Sequence, residues 1–251
     1  MTVTATANDV FYIVDLGGVL ANGLLGGTLA RTMRMDPAGF VVLAIISGLG
    51  GGFLRDISLQ QGFPAALTTP AYLIVALIAA GIAFVVHLER KWAQWLLAVI
   101  DALALGCWAA TGTSKALVAG LDWLPSIMLG ILTAVGGGMI RDVLVGRVPA
   151  VFGGSTLYAT SALIGSAIMA ICQSQGQSTL GMALSIIIGG GFCLVARWRH
   201  WRLPEPVDLR LPRRTLTWPT RLRRSDSGDG SRSRAEGRDD IGDEPEGDEP
   251  R

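Results

Sequence analysis

Charge, cysteine and histidine are all scarce in this chain as far as residue 198. That stretch holds nine Lys or Arg and eight Asp or Glu. Half of all residues are hydrophobic and the mean hydropathy is +0.46, which places the chain in the membrane class. The three cysteines, Cys107, Cys172 and Cys193, lie inside apolar segments. Their odd number and burial argue against a disulfide framework, and their spacing fits no metal site. The two histidines, His87 and His200, sit at the ends of apolar runs with no nucleophile or metal partner near them in sequence. Hydrolase, redox and metalloenzyme classes are therefore without support, and neither a metal nor a cofactor is expected beyond weakly held permeant K⁺ or Na⁺. No basic region precedes the first apolar run and no cleavage site follows it, which argues against a removable signal peptide.

What is present is a series of long apolar runs. A bilayer-spanning helix needs about 20 mostly apolar residues. Seven runs qualify, near 10–30, 38–57, 68–88, 93–112, 124–145, 153–173 and 179–197. Trp92, Trp95, Trp123, Trp198 and Trp201 fall at their ends, where indole prefers the headgroup layer. Arg31, Arg34, Arg90, Lys91, Arg147, Arg197, Arg199 and Arg202 all fall on one side of this topology. The positive-inside bias predicts an outer N-terminus and a cytoplasmic C-terminus, in a multi-pass protein of a bacterial inner membrane. The net charge of +1 hides two opposite tail segments: residues 199–224 carry eight Arg, and residues 225–251 carry ten acidic residues against four Arg. The composition of 204–251 predicts a disordered cytoplasmic tail.

One signature occurs twice. Gly50-Gly51-Gly52-Phe53-Leu54-Arg55-Asp56 returns 86 positions later as Gly136-Gly137-Gly138-Met139-Ile140-Arg141-Asp142. At the same offset Asp15 matches Asp101, Asp36 matches Asp122 and Tyr72 matches Tyr158. Asp, Arg and Tyr are rare here, so the coincidence indicates duplication of a three-helix unit. Three helices is an odd number, so the second copy enters the membrane from the other side, as an inverted-topology repeat. The expected plan is all-α: a repeat over 8–91, its inverted copy over 92–175, and a seventh membrane helix over 176–203.

Three adjacent glycines soften a helix, at about 1 kcal/mol each relative to alanine. Two uses are open: a kink that turns carbonyls toward a polar path, or close helix packing. The hydroxyls of Ser47 and Thr133 stand near the triplets and could replace hydration water weakly. Gly48-Leu49-Gly50-Gly51 follows no soluble strand, so a dinucleotide loop is excluded. Gly23 and Gly27 form a GxxxG packing face. Asp15, Arg55, Asp56, Asp101, Arg141 and Asp142 lie in or at the ends of spans, where a mid-bilayer charge costs roughly 2.5–3.5 kcal/mol. Neighbouring residues on a helix point about 100° apart, so Arg55 and Arg141 are not expected to pair with the Asp that follows each. Depth instead predicts Asp15–Arg55 and Asp101–Arg141 contacts. Lys115 either snorkels to the surface or lines an outer mouth.

Two copies of GGGxxRD, each followed 17 residues after its Arg by a Tyr, resemble the prokaryotic branch of the trimeric intracellular cation (TRIC) channel family. Phe63-Pro64, Val148-Pro149 and Thr111-Gly112-Thr113-Ser114-Lys115-Ala116 are similar to that family's loops and fourth-helix ending. The resemblance covers about residues 8–200; Gln60-Gln61 departs from it where the second copy has Val145-Gly146-Arg147. It implies a homotrimer with a pore in each protomer, conducting K⁺ and also Na⁺. Gly50, Gly51, Gly52, Gly136, Gly137 and Gly138 would then mark bends beside the pore in the second and fifth helices. Related bacterial sequences carry a glycine-transporter label, so a carrier of a small solute such as glycine is the alternative. A scaffolding oligomer without transport is a third.

Overall fold

The computed structural model describes residues 2–87, 90–152 and 157–201. The tail expected from 204 lies outside them. The described residues are helical throughout apart from turns: α1 (Thr2–Thr32), α2 (Pro37–Leu59), α3 (Ala65–Thr68), α4 (Pro70–Val85), α5 (Lys91–Val118), α6 (Trp123–Leu144), α7 (Tyr158–Ser174), α8 (Ser178–Leu184) and α9 (Gly191–Trp198). A 3₁₀ turn spans Ala150–Phe152, and a π-helical segment, Ser185–Gly190, joins α8 to α9 into one rod. Five stretches are long and apolar enough to cross a membrane: Phe11–Thr32, Pro37–Leu59, Lys91–Val118, Trp123–Leu144 and Ser178–Trp198. Each of the seven expected runs is occupied by a helix, but α4 and α7 are short, with 16 and 17 residues. Pro70 in the first turn of α4 sets its late start, because proline has no N–H to continue a helix from the preceding turn.

Local chemistry sets several ends. Asp36 caps α2 through its carboxylate, which accepts from the Gly39 amide at 2.8 Å, with Pro37 behind it. Gln60 closes the same helix in the left-handed region. Trp92, Trp95, Trp123 and Trp198 are exposed at helix ends, as the sequence indicated.

Between helices in lipid there is little hydrophobic drive, so close contact and hydrogen bonds hold them. Gly23 and Gly27 serve this purpose inside the chain. A Cβ on Gly23 would lie 2.7 Å from the Ala79 methyl, and one on Gly27 would collide with Ala83. The GxxxG face is thus spent on α1–α4 packing. At Gly106 a Cβ would meet the Ser185 carbonyl at 2.5 Å, so that glycine admits the π-helical segment against α5. A polar clasp adds to the α1–α4 contact. Arg31 donates to the Ala83 carbonyl from Nε at 3.2 Å and from Nη2 at 2.7 Å, and also to the Phe84 carbonyl. Its Nη1 meets His87 Nε2 at 3.0 Å. A cation here satisfies the last carbonyls of α4 and its negative dipole end. Arg31→Met should lower the unfolding free energy in detergent by about 1.5–3 kcal/mol, the range for hydrogen bonds to a charged group. A thermal scan that does not move would show that water replaces the clasp.

Candidate functional site

The glycine triplets meet each other. A Cβ on Gly51 would overlap the Thr133 carbonyl oxygen, and one on Gly137 would overlap that of Ser47. A Cβ on Gly50 would stand 3.2 Å from the Gly137 Cα, and one on Gly136 would stand 3.3 Å from the Gly51 Cα. Residue numbers fall along α6 as they rise along α2 through these contacts, so the helices cross antiparallel, backbone to backbone. Both run as uninterrupted α-helix through their triplets. The first two glycines of each triplet are therefore used for packing, which is the plainer of the two uses the sequence left open. The third is different. A Cβ on Gly52 or Gly138 would find only its own helix's guanidinium, Arg55 or Arg141, at 3.8 Å.

Beyond the crossing each helix carries its Arg-Asp pair outward. Asp56 and Asp142 lie five to six residues past the contact, about 8 Å along their axes at 1.5 Å per residue, in opposite directions. The pairing differs from the sequence expectation. Arg55 binds its neighbour Asp56, Nε to Oδ1 at 2.7 Å and Nη2 to Oδ2 at 3.0 Å. Arg141 likewise binds its neighbour, with Nε and Nη2 each 2.9 Å from Asp142 Oδ1. Neither Asp15–Arg55 nor Asp101–Arg141 is a salt bridge among the described residues. The 100° divergence applies to the Cα–Cβ bonds. Arginine's long side chain curls back across it, where aspartate's short one cannot.

Asp15 and Asp101 have other partners, and the two sets correspond at the offset of 86. Asp15 accepts from the Tyr72 hydroxyl at 2.5 Å and from the Trp108 indole at 2.6 Å. Asp101 accepts from the Tyr158 hydroxyl at 3.0 Å and from the Asn22 amide at 2.9 Å. Each carboxylate is held by the tyrosine of its own half and by one donor from the other half. Asn22 and Trp108 are themselves 86 positions apart. Identity matching misses this pair because the residues differ; a search for hydrogen-bond donors at the repeat offset would have found it. Arg197, which the sequence offered only as a loop charge, reaches Asp101 Oδ2 at 3.8 Å.

Two cavities flank the crossing and share no lining residue. One, of about 40 Å³, is lined by Asp15, Gly52, Arg55, Asp56, Tyr72, Trp108 and Thr133 among others. Lys115 stands beside it, 3.5 Å from Asp56 and half-exposed, so it joins the charged cluster rather than reaching freely outward. Ala65 adds a backbone N–H to Asp56 at 2.9 Å. The other cavity, of about 1300 Å³, is lined by Gly138, Arg141, Asp142, Asp101 and Tyr158, with Arg31, Arg34, Arg147 and Arg197 around them. Ser47 lines neither cavity, and it and Thr133 are both buried. Thr133 donates to the Leu129 carbonyl at 2.7 Å, and Ser47 accepts from Arg141 at 3.4 Å. Among the described residues no cluster of His, Cys, Asp and Glu could hold a metal ion.

Comparison with known proteins agrees with this plan. The family model described as glycine transporter matches residues 12–88 and again 98–174. The chain is 32% identical over 200 residues to the UPF0126 inner membrane protein YadS of Escherichia coli (strain K12), spanning 77% of this chain and 94% of that one. It is 33% identical over 183 residues to a UPF0126 membrane protein of Vibrio cholerae, spanning 72% and 76%. Among solved structures, one of a TRIC cation channel, determined for the basis of its conductance, superposes with a TM-score of 0.73 at 30% identity, over 79% of this chain and 98% of that one. The TRIC orthologue from Rhodobacter sphaeroides gives 0.67 at 29% identity, over 76% and 98%. A family match over both halves, and relatives at a third identity along most of their length, place the chain in the glycine-transporter family of membrane proteins, with the fold of the TRIC channels.

Proposed function

We propose that the chain conducts K⁺, and Na⁺ alongside it, passively across the inner membrane, through a pathway inside each protomer of a homotrimer. The observation that carries this is the pair of polar clusters on opposite sides of the α2–α6 crossing. Each has an Asp held by a Tyr, an Arg-Asp pair and an unfilled third glycine. Two copies of one motif facing opposite ways suit an inverted repeat over 8–91 and 92–175, with the seventh helix over 176–203 completing the second half. The arginine-rich loops support a cytoplasmic position for the large cavity, with the N-terminus outside and the C-terminus inside. Gly52 and Gly138 mark where the path passes the crossing, and Ser47 and Thr133 offer hydroxyls there that hold an ion weakly enough to release it. The match to channels solved for their conductance supports the choice of cations.

A second reading has its own support. Five arginines line the large cavity, which suits a solute bearing a carboxylate, so a secondary carrier for a small zwitterion such as glycine is the alternative. One reconstitution separates them. The full chain in a planar bilayer should give unitary K⁺ currents under voltage alone. Saturable glycine uptake into liposomes without unitary current would replace the channel with the carrier. The absence of both would leave a membrane scaffold. Cross-linking that stops at monomers or dimers would remove the trimer.

A further inference from the structure

The two halves share a motif but not a charge. Among the residues lining the small cavity are two carboxylates, Asp15 and Asp56, and one guanidinium, Arg55. Lys115, ion-paired to Asp56 at its edge, brings that end to zero. The large cavity is lined by Arg31, Arg34, Arg141, Arg147 and Arg197 against Asp101 and Asp142, a balance of +3 with its histidines neutral. Pairing uses up part of this charge. Arg141 is taken by Asp142 and Arg197 by Asp101. Arg31 is bound to neutral carbonyls and to His87, so its charge is not cancelled. Arg34 and Arg147 are exposed and have no ion-pair partner among the described residues.

From this asymmetry we infer that conduction is rectified, and that Arg34 and Arg147 set the rectification. The inference rests on the channel reading. A water-filled mouth ringed by uncompensated positive charge lowers the local concentration of cations, because low-dielectric walls focus the field into it. The opposite mouth carries no such excess. Cations entering from the small-cavity side meet their normal concentration; those entering from the arginine side meet a depleted one. Current carried inward through the small cavity therefore exceeds current carried outward at equal and opposite voltage. The effect is a surface-potential effect, so salt removes it: the screening length is about 10 Å at 0.1 M and about 3 Å at 1 M. Among the described residues neither arginine forms a salt bridge, so they act on ion supply rather than on the path itself.

The test is single-channel recording from the full chain in a planar bilayer. In symmetric KCl at about 0.1 M the larger and smaller limbs should differ roughly twofold, and at about 1 M they should converge. Raising salt on one side alone should linearise the current only when it is the arginine side. The double variant R34Q/R147Q should give a nearly symmetric relation at low salt by raising the smaller limb, while R34K/R147K should keep the wild-type shape. Both positions are exposed, so these variants are expected to fold. Linear wild-type currents at low salt, or rectification unchanged in R34Q/R147Q, would overturn the inference and leave conduction standing. The absence of any unitary current would defeat the conduction reading itself and this inference with it.

Discussion

Gly51→Ala is expected to leave little folded protein, and Gly52→Ala a normal yield. The two positions are adjacent and chemically identical, and a prediction from sequence would treat them alike. Their surroundings differ completely. The Cβ of an alanine at 51 would fall on the Thr133 carbonyl oxygen, a backbone atom fixed in the middle of α6. It cannot rotate away as a side chain could, so the helices must separate. Forced overpacking costs typically 1–3 kcal/mol, and the rigidity of a backbone acceptor puts this case at about 3 kcal/mol or more. At 52 the neighbour is the tip of the Arg55 guanidinium at 3.8 Å, an ordinary contact with a group that can shift. The second half repeats the experiment: Gly137→Ala should fail against the Ser47 carbonyl where Gly138→Ala succeeds. Thermal unfolding and size-exclusion profiles in detergent read the outcome. Equal midpoints for the variants at 51 and 52 would mean the crossing is not the tight contact described. If Gly52→Ala folds normally and yet loses current, the third glycine belongs to the path.

Asp101→Ala should cost about 2–4 kcal/mol, because it leaves the Asn22 amide and the Tyr158 hydroxyl without their acceptor. Asp101 is 3% exposed, and its carboxylate faces donors from three elements: Asn22 of α1, Tyr158 of α7 and Arg197 of α9. Removing it strands an amide and a hydroxyl together. The Arg197 guanidinium is half-exposed and screened by water, so Arg197→Met in the same chain should recover only a small part of the loss, and the double-mutant cycle gives the coupling. Asp15 offers the contrast. Its partners are a phenol and an indole, both neutral, so Asp15→Ala leaves no stranded cation bonded to it and should cost less, about 1–3 kcal/mol. Comparable losses at the two sites, with no rescue by Arg197→Met, would mean the 3.8 Å contact contributes nothing.

Both results bear on how the halves are coupled. Trp108 reaches from the second half to Asp15, and Asn22 reaches from the first half to Asp101. Widening either cavity by moving one half against the other must break one of these bonds.

Sequence alone settled the membrane class and the all-helical architecture, and it displayed the doubled signature. Apolar runs of about 20 residues with scarce charge admit no other structure in lipid, since helices satisfy their own backbone there. An identity offset of 86 does not depend on geometry. It also marked Asp15, Asp101, the Arg-Asp pairs and both tyrosines as the unusual residues, because ionisable groups in such runs are costly. The partners were decided by the tertiary structure. Arg55 turned to its neighbour rather than to Asp15, because side-chain length outweighs the divergence of adjacent Cβ directions. Within each triplet, two glycines went to packing and one to a cavity wall, a division set by where an antiparallel helix crosses. Asn22, Trp108 and Arg197 became ligands of the two carboxylates only when helices distant in sequence were brought side by side, at a distance and angle that no residue pattern encodes.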